Sequence, residues 1–118
     1  MAAKTPLVPL TDIRDAARRI RRYTKDKNLA VFQHDELARD AVERCIEIIS
    51  EASRRLPAAM KAKHPEIPWE KVAAIGNVFR HEYDEISPPL VWQVVKDHLP
   101  VLERVVNTLI REIGKRRK

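Results

Sequence analysis

The sequence predicts an all-α fold: a compact bundle of four to five helices in one domain over residues 1–118, with its core over about 6–110 and a basic tail over 111–118. Three observations carry that prediction. Apolar residues recur at spacings of three and four along most of the chain. The 118 residues include only two glycines, too few for the tight turns of a many-stranded β fold. Most of the eight prolines fall where helices would start or stop.

The first helix is expected to begin near Pro9 or Thr11, with the stripe Leu10, Ile13, Ala17, Ile20 and Tyr23. Thr24 to Asn28 carries no apolar residue and reads as a loop, and Leu29 to Phe32 as one short turn. A second long helix spans about Asp35 to Leu56, with Leu37, Ala41, Cys45, Ile48, Ile49, Ala52 and Leu56 facing the core, and Pro57 ends it. Ala58 to Lys63 forms a short helix. Pro68 to about Tyr83 forms a longer one, with Pro68 in a first turn where its missing N–H is not needed. Ser87-Pro88-Pro89 breaks the chain. The last segment carries Val91, Val94, Val95, Leu99, Leu102, Val106, Leu109 and Ile113; Pro100 interrupts it, so a kink or two abutting helices are expected. Gly114 suits a helix C-cap.

The formal net charge of +6 is compatible with a polyanionic partner such as RNA but does not establish one. Much of the excess sits in Arg18, Arg19, Arg21 and Arg22 and in the tail Lys115-Arg116-Arg117-Lys118. A solvated helix face and a frayed end are preferred for these clusters over a specific binding patch. The single Cys45 cannot form an internal disulfide, and its apolar neighbours make it a buried structural thiol rather than a nucleophile. With no signal-peptide core and no membrane-length apolar run, a cytoplasmic location without membrane contact is expected.

The chemistry gathers in Gly76-Asn77-Val78-Phe79-Arg80-His81-Glu82-Tyr83. Gly76 falls inside a predicted helix, where it costs about 1 kcal/mol relative to alanine. Close approach of a neighbouring helix or of a ligand would explain it. Helical spacing puts Asn77 and His81 one turn apart on one face, and Gly76 and Arg80 on the adjacent one. Tyr83, two residues past His81, points elsewhere on a regular helix.

Histidine can take and return a proton near neutral pH, and arginine offers a fixed, forked positive charge for a phosphate. These are the parts needed to cleave an RNA backbone without a metal. His34, His64, His81 and His98 are scattered and one cysteine gives no zinc signature, so no metal or other cofactor is expected. Glu43, Glu47 and Glu51 line one helix face, but solvation or pairing with nearby arginines accounts for them.

Three segments in order carry a family resemblance: Ile67-Pro68-Trp69, then Gly76 to Tyr83, then Val91-Trp92 followed by His98-Leu99-Pro100. In that order and spacing the chain resembles the HepT-type HEPN proteins over roughly Pro6 to Ile110. The resemblance implies a helical bundle that pairs as a homodimer with a site between subunits. It implies the toxin of a toxin–antitoxin pair, a metal-independent ribonuclease acting on RNA. The implied antitoxin is a small MntA-like nucleotidyltransferase that transfers AMP onto a tyrosine. The family motif is R-x4-H-x-Y. By position, His81 matches the catalytic histidine, Tyr83 the modified tyrosine and Asn77 the polar residue after the arginine. The arginine position is Gly76, and Arg80, one turn on, is the candidate substitute. The alternative is a catalytically impaired HEPN partner of the nucleotidyltransferase.

Overall fold

The computed structural model describes residues 5–81 and 87–116, and of Arg80, His81 and Arg116 only the backbone. Helix α1 (Leu7–Thr24) starts earlier than the sequence suggests. Pro9 falls within its first turn, where no N–H has a partner inside the helix, so the proline is tolerated there. Thr24 is buried and donates its hydroxyl to the Ile20 carbonyl at 2.9 Å. Asp26 then adopts a left-handed conformation, φ 62°, which a short polar side chain tolerates.

Helix α2 (Leu29–His34) is longer than the expected single turn and is capped by Asn28, whose side chain accepts the Val31 N–H at 2.9 Å. Asp35 caps α3 (Glu36–Arg54) in the same way, accepting the Ala38 N–H at 3.0 Å. Pro57 leads into α4 (Ala58–Ala62), and α5 (Trp69–His81) follows. Ser87 accepts the Leu90 N–H at 3.3 Å and starts α6 (Pro88–Gln93), with proline in its first turn. A π-helical turn, Val94–His98, joins α6 to α7 (Leu99–Arg116), and the Leu99 N–H reaches back five residues to the Val94 carbonyl. This wide turn is the interruption expected at Pro100, because a proline cannot donate and crowds the preceding turn. Gly114 is no C-cap: α7 runs through it, its φ is not positive, and nothing lies within 4 Å of the Cβ it lacks.

Among the described residues the architecture is all-α, four long helices with three short ones between them. Helix α3 lies at the centre, packed on α1 and on α5, while α7 packs on α1. Neighbours run antiparallel. Arg55, just past α3, pairs with Asp12 in the first half of α1 at 3.1 Å. Arg21 near the end of α1 pairs with Glu103 near the start of α7 at 2.8 Å. The C-terminal ends of α1 and α5 therefore lie at the same end of the bundle, beside the first half of α3.

The α1 stripe is as expected: Leu10, Ile13, Ala17 and Ile20 are fully buried. On α3 the expected stripe begins one residue too early. Leu37 is 81% exposed, and Ala38 and Val42 take its place, followed by Cys45, Ile46, Ile49 and Ala52. The apolar face of α3 is set by two partners at once, and Leu37 lies off both. Each fully buried large apolar side chain contributes roughly 1.5–3 kcal/mol. Phe32 of α2 is one, and its ring centroid lies 5.1 Å from that of Trp92 of α6, tying the short helices to the core.

Candidate functional site

Helix α5 carries the site residues, and its start is fixed by aromatic chemistry. Ile67 is buried, and the Trp69 indole N–H donates to the Lys61 and His64 carbonyls, both at 3.0 Å. These bonds hold the end of α4 and the following turn against the first residue of α5. Pro68 accepts the Lys71 and Val72 N–H groups at 2.9 and 3.0 Å, as its first-turn position requires.

The middle of α5 is locked to α3 by a side chain absent from the expected stripe. Ser50 is fully buried. Its hydroxyl donates to the Ala73 carbonyl at 2.9 Å and accepts the Gly76 N–H at 3.1 Å. Arg54, one turn further along α3, donates Nε and Nη2 to the same Ala73 carbonyl at 3.1 and 2.7 Å, and pairs with Glu51 at 3.2 Å.

Gly76 is thus a packing glycine. A Cβ there would lie 2.7 Å from Ser50 Oγ and 2.9 Å from Ser50 Cβ, closer than atoms can sit without something moving. Arg54 Nη2 would be 3.8 Å away. A side chain at 76 would begin inside the helix contact and beside an existing guanidinium.

Phe79 is buried on the face toward α3, whereas Ala74, Asn77 and Val78 form an exposed face. Position 81 stands one turn beyond Asn77 in the helical backbone, and position 80 one turn beyond Gly76. The helix brings Gly76, Asn77, Arg80 and His81 together in backbone register over its last two turns. Tyr83 lies outside the described residues.

Beside Phe79, residues Arg39, Asp40, Glu43, Arg44 and Glu47 of α3 line a depression of about 350 Å³. Burial raises the Glu43 carboxyl above its usual value, against the pull of Arg39 and with help from Asp40 and Glu47. Glu47 pairs with Arg44 at 3.5 Å and Glu51 with Arg54, as expected of these acids. Cys45 is buried and unpaired, and burial raises its thiol. No helix among the described residues is long and apolar enough to cross a membrane.

Ser50 and Arg54, which hold α5 against α3, are the residues that sequence reasoning missed. The available signal was a small polar residue inside the apolar stripe of α3, a companion to a glycine inside α5.

An antiparallel helical bundle whose α5 is locked to α3 and reaches a histidine in its last turn defines a class of small all-α proteins, and comparison with known sequences makes the class specific. The chain belongs to the ribonuclease HepT-like family, whose profile matches residues 13–109. It is 35% identical over 94 residues to the probable ribonuclease HepT of Thermococcus cleftensis, covering 80% of this chain and 86% of that one. It is 34% identical over 97 residues to an inferred RNase of Methanocaldococcus jannaschii, covering 82% and 89%. An inferred RNase of Caldanaerobacter subterraneus is 28% identical over 109 residues, covering 92% and 97%. No solved structure matches significantly.

Proposed function

We propose that this chain is a HepT-like toxin that cleaves RNA without a metal and is silenced by an MntA-like nucleotidyltransferase that transfers AMP to Tyr83. The observation that carries the reading is His81, in the last turn of the locked helix α5 and followed in sequence by Tyr83, inside a span matched by the family profile. His81 takes the proton of a ribose 2′-hydroxyl. The freed oxygen attacks the adjacent phosphorus, the 5′-oxygen leaves with a proton, and a 2′,3′-cyclic phosphate remains. Arg80 is the cation for the charge that develops on the phosphate, and Asn77 supports the histidine one turn away. In this reading two copies pair, so that each site has a second wall.

The test is RNA incubated with purified protein in EDTA. Cleavage that His81→Ala abolishes is the expected result, and cleavage surviving in that variant overturns the assignment.

The Ser50–Gly76 contact favours a second reading. With position 76 closed to an arginine, the chain would be an impaired HEPN partner that binds the nucleotidyltransferase and cleaves little. Expression of the chain alone decides between them: growth arrest supports the toxin, and harmless expression with ready complex formation supports the partner.

A further inference from the structure

The arginines of α1 gather around one concave surface. Arg18, Arg19, Arg21, Arg22 and Lys25 line an open furrow of about 620 Å³ with Asp15 as its one acid. Asp15 pairs with Arg14 at 3.2 Å and Arg21 with Glu103 at 2.8 Å. Among the described residues, no carboxylate pairs with Arg18, Arg19, Arg22 or Lys25. Arg18, Arg22 and Lys25 are exposed and recur at successive turns, so their charges form a row along the helix.

The row leads toward the site. Arg44, which pairs with Glu47 at 3.5 Å, lies in the first half of α3, the part that packs beside the C-terminal half of α1 where Arg19 and Arg22 stand. Arg44 also lines the depression beside Phe79, two residues before His81. Arg44 thus joins the furrow on α1 to the end of α5. Two helix spacings of about 8–10 Å each separate α1 from α5 across α3. That gap suits a few nucleotides of flexible single strand, whereas the acids Asp40, Glu43 and Glu47 in the depression disfavour a broad, rigid polyanion there.

We infer that the α1 furrow, through Arg18, Arg22 and Lys25 with Arg44 as the bridge, holds the phosphate backbone of single-stranded RNA on its way to the His81 end of α5. This rests on the ribonuclease reading above. Forked guanidinium groups on successive turns grip phosphates without reading bases, so the furrow supplies affinity and direction rather than sequence choice.

The experiment measures binding of a fluorescein-labelled oligouridylate to the 118-residue chain carrying His81→Ala across about 50 to 200 mM salt. The triple substitution Arg18→Gln, Arg22→Gln, Lys25→Gln is expected to weaken binding by roughly tenfold or more, and to flatten the salt slope by about 0.7 for each phosphate no longer neutralised. The same number of charges removed from α7, by Arg104→Gln, Arg111→Gln and Lys115→Gln, is expected to have a much smaller effect. Each single furrow variant is measured too, with a melting curve, so that a folding loss in the triple variant leaves three readings standing.

Equal binding by the furrow variants and their parent overturns the inference. So do an equal loss in the α7 variant and no RNA binding by the parent. Loss of binding to polyglutamate with RNA binding kept overturns it in favour of an acidic protein partner. Cleavage by the unsubstituted chain reports the other reading separately. Furrow-dependent binding without cleavage keeps the furrow and removes the nuclease, and cleavage indifferent to the furrow does the reverse.

Discussion

The Ser50 hydroxyl accepts the Gly76 N–H at 3.1 Å and occupies the space into which any side chain at position 76 would have to grow. An arginine introduced at position 76 therefore does not simply supply a charge. It meets Ser50 first and the Arg54 guanidinium next. Gly76→Arg alone is expected to lower stability by about 1–3 kcal/mol, the usual cost of overpacking, with no gain in RNA cleavage. Adding Ser50→Gly opens the contact and is expected to recover part of that loss. The coupling between the two changes should be about 0.5–3 kcal/mol in a double-mutant cycle read by urea melts. Strict additivity would show that the two positions do not share the space.

Trp69 anchors the start of α5 through a single donor shared by two carbonyls. Trp69→Phe keeps an aromatic ring and removes the N–H. It is expected to cost about 0.5–1.5 kcal/mol in a urea melt. Hydrogen exchange should quicken over residues 61–69 before it does elsewhere.

Glu43 gives the fold a pH dependence of definite sign. Burial raises its folded-state pKa above the ordinary 4.5, so the folded protein prefers the protonated acid. The stability this contributes is fully present below 4.5 and is lost as pH rises through the raised value. The stability difference between Glu43→Gln and the unsubstituted protein should therefore grow in favour of the variant over that rise. Melts at a series of pH values check this, and a difference that shrinks with pH contradicts it.

Cys45 is 2% exposed and its thiol is raised by burial. It is expected to resist Ellman's reagent in the folded protein and to react fully in denaturant. Its rate of reaction in mild urea then reports opening of the α1–α3 contact.

Much of the fold was legible because it depends on local pattern. The α1 stripe, the stops at Pro57 and Ser87-Pro88-Pro89 and the break near Pro100 follow from side-chain period and proline chemistry. The errors arose where a distant partner decides. Leu37 fits a helical stripe as well as Ala38 does, and only the positions of α1 and α5 select between them. Gly114 resembles a cap until α7 is seen to continue through it. Gly76 announced a close approach, and the sequence left open whether a ligand or a helix made it. The answer, Ser50, lies 26 residues away on another helix. His81 was singled out for its residue type and Tyr83 for its place in a family motif, and Tyr83 lies outside the described residues. The α1 arginines were read as solvent-facing, and Arg18, Arg21 and Arg22 are exposed; helical spacing reveals which residues share a face, and not that the face lines a furrow.

The wide turn at Val94–His98 stores a length rather than a chemistry. Buried residues run Val91, Val95, Leu99 at steps of four, then Leu102, Val106 and Leu109 at steps of three, four and three, with Val105 buried beside Val106. The π turn is where the phase is reset, so that α7 meets α1 with its apolar edge. Removing one residue there would close the turn to a regular helix, with the Leu99 N–H and the Val94 carbonyl now an ordinary four-residue step apart, and would leave Leu102, Val106 and Leu109 in phase. The same deletion within the regular part of α7, between Leu102 and Val106, has no wide turn to absorb it and would rotate everything after it by about 100°. A one-residue deletion in Val94–His98 should therefore be borne, and one in the middle of α7 should be among the most damaging small changes available to the chain.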